Sequence, residues 1–386
     1  MSGTSGTVHP IAYLRTLEFE DGQAAGSITP ARMRDLLVSL DTGLLIARNY
    51  GVVADGSTDD TAAWGTVFSA ASTGYPTAVL APAGISMTTG ITVPAGVTLV
   101  GQANCDYPLN NGAAFVTGGG SVLKKISGSN ALVTMNGANL SNANGLATLQ
   151  GSGLTNMTLL GAYGSAGVVQ QATRTALCYL IRCTITNFTT AFDGSVTSGY
   201  AWAIIEGCCI MSNGNAIVDL VDSRVINNFI AGNSGTGFIS SSGADTVIMG
   251  NKIEFNGQHG VYITGGDNMQ VVNNNFDECG YNAVNWTNST NGICSGNCIR
   301  RSGSAATAGS TYDAHFYLSG NTDLVVIGNI TRVLNIQNTT TPAPNYCLAG
   351  GTNTSGILNG NAFRGYHTAF NNPSAATGLT LGTNLT

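Results

Sequence analysis

Residues 228–230 read Asn228-Phe229-Ile230, and the same pattern returns as Asn251-Lys252-Ile253, Asn274-Asn275-Phe276 and Asn297-Cys298-Ile299. Each copy begins 23 residues after the previous one, which gives one column of asparagine and one column of large apolar residues. Three further columns keep the same interval: Val225, Ile248, Val271 and Cys294; Phe238, Val261 and Val284; and Asp222, Asp245, Asn268 and Asn291. Five columns in one register indicate a repeating structural unit of 23 residues.

This unit is too short for a pair of helices and too long for a hairpin, but it fits one coil of a parallel β-helix. Each coil contributes three short strands, and every strand pairs in parallel with its counterpart one coil away, about 4.8 Å along the axis. Asparagine suits the turns because it tolerates the left-handed backbone conformation and its amide can bond the amide above it. The crossover preference predicts right-handed winding. The predicted fold class is therefore all-β, a right-handed, single-stranded parallel β-helix with a short N-terminal helical segment.

The composition agrees with a filled tube. The chain has 386 residues, more than the ~250–300 at which a single compact core stops growing. Charged residues make up 9%, against roughly 25% in an average globular protein, whereas hydrophobic residues make up an ordinary 43%. Such a chain can fill a tube with apolar side chains and build its turns from neutral Asn, Ser, Thr and Gly.

Charge and hydropathy exclude several classes of partner. Only 14 Lys and Arg stand against 20 Asp and Glu, so the basic stripe that binds nucleic acid is missing. No stretch approaches the ~18 apolar residues of a membrane span, so no membrane insertion is expected. The first residues lack a basic start followed by a long apolar stretch, so no secretion signal is expected. No Cys-x-x-Cys pair occurs, and neither a metal nor another cofactor is expected.

The chain divides into three predicted segments. Residues 1–48 contain a helix that Thr29 caps, with an apolar face formed by Met33, Leu36, Leu37 and Leu40. Residues 49–76 open the β-helix and contain a second helix, which Thr58 or Asp59 caps and whose apolar stripe is Trp64, Val67, Phe68 and Ala71. Residues 77–386 form the coils, roughly a dozen of them in a rod on the order of 60 Å long.

The coils lengthen after residue 303. Asn297, Asn329 and Asn361 are separated by 32 residues each time, so about nine residues are added to each of two successive coils. We expect these additions within residues 303–320, which include Tyr312, and within residues 337–351. Such loops either wall a groove on the rod or cover its end or a neighbouring chain.

The residues that follow Asn49 resemble the opening motif of a known superfamily. Residues 50–63 read Tyr-Gly-Val-Val-Ala-Asp-Gly-Ser-Thr-Asp-Asp-Thr-Ala-Ala, which is similar to the start of right-handed β-helices of the pectate-lyase-like superfamily. The usual continuation follows from Val79 to Gly101. The resemblance covers about residues 49–370 and implies a β-helix that handles polysaccharide. Residues 29–37 additionally look like short helices near the N-termini of bacteriophage tail proteins.

Together the two resemblances imply a bacteriophage tailspike or tail fibre. In such a protein, residues 1–48 attach to other phage tail proteins, and the β-helix binds a host cell-surface polysaccharide as part of a homotrimer on the virion tail. The resemblance leaves cleavage of the polysaccharide open. One alternative is a non-catalytic structural or receptor-binding tail protein, and another is a bacterial polysaccharide hydrolase or lyase of non-viral origin.

Acidic residues succeed one another in the column that follows the apolar ladder, which reads Ala231, Glu254, Asp277 and Arg300. Because the ladder residue points inward, its successor points outward, so Glu254 and Asp277 are expected side by side on the surface. Two such carboxylates raise each other's proton affinity, which gives one acid and one base or nucleophile for glycoside hydrolysis. They are the predicted catalytic pair. The structural alternative is an ordinary surface ladder that Arg300 neutralises.

Rings that could stack on sugars lie on the same two coils. His259 and Tyr262 follow the first carboxylate and Trp286 follows the second, so these three and Arg300 are the predicted substrate contacts. Two of them have a structural alternative, since His259 lies in a predicted turn and Trp286 aligns with Ile263, which would point it into the core.

Motifs and residue types that enzymes of the superfamily use, but that this sequence lacks, narrow the class of reaction. Polygalacturonases show a series of Asn-Thr-Asp, Asp-Asp, Gly-His-Gly and Arg-Ile-Lys motifs, of which only Gln258-His259-Gly260 is a partial match. A lyase needs a Lys, Arg or Tyr base beside carboxylates, and basic side chains are scarce here. If the protein is an enzyme, a glycoside hydrolase is therefore favoured over a lyase.

Overall fold

The computed structural model describes residues 44–71, 77–102, 120–136, 138–141, 147–161, 164–170, 178–195, 202–303, 312–332, 346–364, 368–370 and 378–384. The helix predicted from Met33 to Leu40 lies outside these residues, as do parts of both added loops. Most of the described chain forms short strands that pair in parallel.

The strands build three long sheets. The first has 13 strands: Leu44–Ile46, Thr77–Leu80, Val97–Val100, Gly153–Thr155, Cys178–Ile181, Ala203–Glu206, Arg224–Ile226, Val247–Met249, Gln270–Val272, Ile293–Ser295, Leu324–Ile327, Gly356–Asn359 and Thr380–Leu381. The second has 12: Asp55–Asp59, Gly84–Thr88, Ser121–Lys125, Thr158–Leu160, Thr184–Thr186, Cys209–Met211, Phe229–Ala231, Lys252–Glu254, Asn275–Asp277, Cys298–Arg300, Ile330–Arg332 and Ala362–Arg364. The third has 11: Ile91–Val93, Val133–Met135, Ala166–Gln170, Thr190–Asp193, Asn215–Val218, Phe238–Ser240, Val261–Thr264, Val284–Thr287, Ala314–Ser319, Tyr346–Gly350 and Thr368–Phe370.

The order of the strands along the chain makes these sheets the sides of a tube. Along the chain, a strand of the first sheet is followed by a strand of the second sheet and then by a strand of the third sheet, after which the next coil begins. Ala138–Ser141 and Ala147–Gln150 form a separate antiparallel pair. The predicted parallel β-helix, with about a dozen coils, is confirmed.

The register between coils is the one that the repeat predicts. The first sheet aligns Val225, Ile248, Val271 and Cys294. The second aligns Ile230, Ile253, Phe276 and Ile299, and the third aligns Phe238, Val261 and Val284. All of these side chains are buried, so the stacked columns fill the tube and form its hydrophobic core.

A ladder of buried asparagines runs along one edge of the tube. The Nδ2 atom of each donates to Oδ1 of the next, at 2.9 Å from Asn228 to Asn251, 2.9 Å from Asn251 to Asn274 and 3.1 Å from Asn274 to Asn297. The same Oδ1 of Asn274 accepts the backbone N–H of Asn251 at 3.0 Å. The ladder continues through the longer coils to Asn329, Asn361 and Asn384. The added residues therefore leave the register unchanged.

The left-handed backbone conformation falls on the residue before each ladder asparagine, and not on the asparagine itself as predicted. The angle φ is +55° at Asn227, +67° at Gly250, +54° at Asn273 and +65° at Gly296. Asn and Gly alternate at this position because they adopt the conformation at low cost. The predicted turn ladder of Asp222, Asp245, Asn268 and Asn291 is left-handed throughout, with φ between +50° and +52°.

A helix packs against the first coils. It spans Thr61–Ala71, and its buried residues are the predicted Trp64, Val67, Phe68 and Ala71. The predicted Asp59 caps its start, because the Asp59 carboxylate accepts the backbone N–H of Thr61 at 2.9 Å. The carboxylate of the next residue, the buried Asp60, accepts the backbone N–H groups of Val53 and Ala54 and so ties the helix to the preceding turn.

The first sheet already contains residues that precede the predicted boundary at residue 49. Leu44–Ile46 pairs in parallel with Thr77–Leu80, and a 3-10 helix spans Ala47–Tyr50. Within the described residues, no helix is long and apolar enough to cross a membrane.

Replacing Asn274 with Ala should lower the free energy of unfolding by about 2–3 kcal/mol, because it leaves the buried amide and backbone N–H of Asn251 without their acceptor. The matched control is Asn275→Ala, since Asn275 is exposed on the neighbouring position of the same coil, and its effect should stay within about 0.5 kcal/mol. Urea unfolding followed by circular dichroism measures both. Equal losses for the two variants would contradict a stabilising ladder.

Candidate functional site

The candidate residues gather where the second sheet turns into the third. On three successive coils the second sheet ends at Glu254, Asp277 and Arg300. The third sheet then begins at Val261, Val284 and Ala314. Because the coils are in register, the side chains of these three turns lie above one another along the rod.

Glu254 and Asp277 are ladder neighbours, as their column predicts, but both are buried. Backbone pairing aligns Ala231, Glu254, Asp277 and Arg300. Glu254 is 6% exposed and Asp277 is 1% exposed, whereas the sequence predicts an open position on the rod surface. The exposed Lys252 forms an ion pair with Glu254, with 3.0 Å between Nζ and Oε2. Basic side chains from the same sheet and the adjoining turn therefore cover the carboxylates.

Two arginines hold the Asp277 carboxylate. Arg301 donates from Nε to Oδ1 at 2.7 Å and from Nη2 to Oδ2, and Arg300 Nη2 lies 2.7 Å from the same Oδ2. Arg301 Nη1 also lies 3.4 Å from Glu278 Oε1. The hydrogen bonds with Asp277, and then the nearby carboxylate charges, raise the pKa of Arg301 above its usual value. Asp277 is thus the centre of a bidentate, charge-assisted ion pair.

Arg301 turns toward Asp277 on a left-handed backbone. The angle φ is +53° at Arg301, and its column contains Gly232 at +60°, Phe255 at +54° and Glu278 at +49°. The same conformation recurs in other turns of the rod, for example at Arg182 and Asp219, so it belongs to the repeat and sets the direction of this side chain. The sequence analysis missed Arg301 and Glu278 because it followed only the column before them. The 23-residue interval that joins Phe255, Glu278 and Arg301 is the signal that finds them.

Four rings form a second group in the same turns, which we call the aromatic cluster: His259, Tyr262, Tyr281 and Tyr312. His259 stacks on Tyr262, with ring centroids 5.2 Å apart, and meets Tyr281 and Tyr312 edge-on at 5.4 and 5.3 Å. Tyr281 and Tyr312 stack at 4.8 Å and an interplanar angle of 16°. Tyr312 belongs to the first lengthened coil, so that coil brings a ring onto the rod.

The aromatic cluster is only partly open to solvent. Tyr312 is 39% exposed, Tyr262 and Tyr281 are half-buried, and His259 is buried. Burial lowers the pKa of His259 to about 4, against a smaller raising effect of the hydrogen bond with the Asn282 backbone. The imidazole is therefore uncharged at neutral pH, and the cluster presents flat, neutral rings.

Trp286 does not join the aromatic cluster. Its backbone pairs with Ile263, and its side chain is 0% exposed inside the tube. A ring enclosed by the core cannot stack on a sugar, so the structure corrects the predicted substrate contact in favour of the core alternative.

The arrangement combines rings with paired charges. The charged cluster, which we define as Lys252, Glu254, Asp277, Glu278, Arg300 and Arg301, holds three acidic and three basic side chains. Lys252 and Arg300 are the exposed members, with about half of each side chain accessible, and can donate to a ligand. Glu254 and Asp277 can take part in proton transfer to a ligand only if Asp277 first gives up its bonds to Arg300 and Arg301.

A comparison with known families places the fold. The family described as the right handed beta helix region matches residues 126–322 and 221–372, which together span more than half of the chain. The chain belongs to the right-handed β-helix family. The right-handed winding predicted from crossover preference is thereby confirmed.

Solved structures share this right-handed β-helix at low sequence identity. The A-module of the Azotobacter vinelandii mannuronan C-5 epimerase AlgE6 aligns with a TM-score of 0.62 and 16% identity, over 89% of this chain and 99% of that one. The enzymatically active domain of tailspike protein 2 from bacteriophage CBA120 aligns with a TM-score of 0.63 and 13% identity, over 85% of this chain and 52% of that one. A DFA-IIIase from Arthrobacter chlorophenolicus aligns with a TM-score of 0.57 and 12% identity, over 83% of both.

The pKa of His259 makes stability depend on pH. Unfolded His259 binds a proton near pH 6.5 and folded His259 near pH 4, so the stability present above pH 6.5 is lost as the pH falls toward 4. His259→Phe keeps a ring and removes this titration, so from pH 7 to pH 5 it should lose about 2 kcal/mol less unfolding free energy than the unmodified protein. Urea unfolding at the two pH values measures the difference, and equal losses would contradict the buried, neutral imidazole.

Proposed function

We propose that this β-helix protein is a tailspike-like protein of a bacteriophage that binds a polysaccharide of the host cell surface. The opening motif of the sequence and the fold shared with tailspikes of bacteriophage CBA120 and Dettilon support the proposal. The observation that carries it is the aromatic cluster, in which stacked tyrosines from two coils meet His259 on a third. Partly exposed, flat rings of this kind stack on the apolar faces of sugars.

The charged cluster supplies the polar contacts of the proposed binding site. Arg300 and Lys252 are the exposed donors beside the buried carboxylates and can bond to sugar hydroxyl or acid groups. His259 and Tyr262 keep their predicted role as substrate contacts, and Tyr281 and Tyr312 join them.

The state of Asp277 favours binding over cleavage as the primary activity. A nucleophile or base must be free to approach its substrate, but this carboxylate is 1% exposed and shared between two guanidinium groups. Breaking a buried ion pair without a replacement costs roughly 3–5 kcal/mol. We therefore assign Asp277 first to fixing Arg300 and Arg301 at the surface.

One observation favours glycoside hydrolysis as a second candidate function. Glu254 and Asp277 lie on adjacent rungs, whose backbones are about 4.8 Å apart, and the carboxyl groups of retaining glycosidases are about 5–5.5 Å apart. In that case Glu254 is the proposed acid, and Asp277 is the proposed base or nucleophile.

The outer face of the first sheet supports assembly into a homotrimer. On four successive strands, from residue 247 to residue 327, its outward positions hold no charged residue, whereas the strand before them turns Arg224 outward. These positions are Val247, Met249, Gln270, Val272, Ile293, Ser295, Val325 and Ile327. Met249 and Ile327 are each 39% exposed. The second sheet, in contrast, turns Lys252 and Arg300 outward.

An apolar outer face of this kind needs a cover. Parallel sheets are normally buried on both faces, and contiguous exposed apolar patches mark interaction sites. Threefold symmetry would bury the same face of each of three chains around one axis and leave the second sheet outside. Residues 1–48 would attach this assembly to other phage tail proteins on the virion.

We expect Tyr281→Ala to weaken retention on purified host surface polysaccharide at least about tenfold, because it removes the ring that contacts both His259 and Tyr312. Tyr179→Ala, on the first sheet, is the matched control and should bind normally. Mass spectrometry of the same incubation reports products. If the unmodified protein releases oligosaccharides and neither Glu254→Gln nor Asp277→Asn does, the hydrolase is established. If the Tyr281→Ala variant is retained as strongly as the unmodified protein, the proposed binding site is wrong.

The assembly proposal predicts that Ile327→Glu combined with Met249→Glu converts a trimer into monomers, because charge would be buried at the centre. Thr264→Glu combined with Thr287→Glu introduces the same two charges on the outer face of the third sheet and should leave the trimer intact. Sedimentation velocity measures the mass of each variant. A monomeric unmodified protein would refute the trimer.

A further inference from the structure

The basic residues in the last third of the chain concentrate at one place. After Lys252 the sequence contains four basic residues in all, Arg300, Arg301, Arg332 and Arg364. Two of them belong to the charged cluster described above. The other two lie at the same position of the second sheet on the next two coils. A chain with a net charge of −6 therefore carries one local basic column.

The ladder register stacks the backbones of three of these arginines. Arg300 pairs with Arg332, and Arg332 pairs with Arg364, each by backbone partners on adjacent strands. We call Arg300 and Arg332 the arginine column. Like charges at directly opposite positions of adjacent strands destabilise a sheet. The repeated placement of arginine at this position therefore works against the stability of the unliganded rod.

Arg300 is the last arginine of the column that forms an ion pair with a carboxylate, and Arg332 lies on the next coil. Arg300 is neutralised by Asp277, with 2.7 Å between Nη2 and Oδ2, and it still exposes 47% of its side chain. Arg332 is exposed, and within the described residues no carboxylate forms an ion pair with it. Arg332, on the rung directly after the charged cluster, is thus one of the described arginines whose charge no ion pair neutralises.

We propose that the arginine column binds acidic groups of a polysaccharide that runs along the rod axis, so that the glycan recognised by this protein is anionic. The inference rests on the proposed function and adds the class of substrate. Guanidinium groups bind carboxylates and phosphates in bidentate fashion, and the charge–charge cost within the column is relieved when an anion lies between two rungs.

The direction of the bound glycan follows from the position of the column. The rungs repeat about every 4.8 Å, a distance comparable with the length of one sugar residue in an extended chain. Successive acidic groups can therefore meet successive arginines only if the glycan follows the axis. One end of such a glycan reaches the coil of Arg300, whose lengthened part carries Tyr312 of the aromatic cluster.

A bacterial polysaccharide array tests the anionic class. The array should contain neutral polymers, uronic-acid polymers, phosphate-bearing polymers and a carboxyl-reduced copy of each uronic-acid polymer. We expect binding to uronate or phosphate polymers, an at least tenfold weaker affinity for the carboxyl-reduced copy of a bound uronate polymer, and weakening by added salt. Preference for uronate or for phosphate identifies the source of the acidic group.

Matched arginine variants locate the effect. Arg332→Gln should weaken binding of the best anionic polymer about tenfold, whereas Arg48→Gln, which removes the same charge from an exposed arginine at the other end of the tube, should not change it. Equal weakening by both variants, or equal binding of neutral and acidic polymers, would overturn the anionic class. If neutral polymers bind and Tyr281→Ala abolishes that binding, the proposed function stands and this inference fails. If no polymer binds, both fail.

Discussion

The unshifted pairing of each coil with the next is the constraint on which the rest of the structure depends. A strand hydrogen-bonded to its counterpart one coil away converts a column of sequence into a column in space. The asparagine ladder enforces the register, because a displaced Asn274 would leave buried amide and N–H groups of Asn251 unbonded. Residues added to a coil must therefore leave the tube as loops, and the ladder distances stay near 3 Å from Asn297 to Asn329 and on to Asn361.

The candidate site is a product of the same constraint. Stacking brings Glu254 onto Asp277 and Asp277 onto Arg300, although 23 residues separate each pair. The left-handed turn that follows the second sheet then directs Arg301 onto the carboxylate. The first lengthened coil places Tyr312 on Tyr281, so an irregularity of the repeat completes the aromatic cluster. The regular coils thus place the charged side chains above one another, and the lengthened coil adds the exposed ring of Tyr312.

The sequence predicted the fold and the ladder neighbours well, because a fixed period is a direct record of the register. It predicted the environment of those neighbours poorly. Glu254 and Asp277 are buried because long basic side chains such as Lys252 and Arg301 extend over them. A column of the sequence repeat shows which residues stack but does not show which side chains cover them. Trp286 illustrates the same limit, since an aromatic residue at a ladder position fits the core as well as a sugar. The buried Asp60 is a further example, because a helix-start pattern does not show that its carboxylate accepts the N–H groups of Val53 and Ala54.

We propose that a glycan lies along the second sheet, over the turns that carry His259, Tyr281 and Tyr312. A crystal structure of the protein with a bound fragment of its polysaccharide would show where the glycan lies. We expect a sugar ring stacked on Tyr281 or Tyr312, with an acidic group of the next residue within hydrogen-bond distance of Arg332. A fragment bound on the apolar face of the first sheet, away from all three turns, would contradict it.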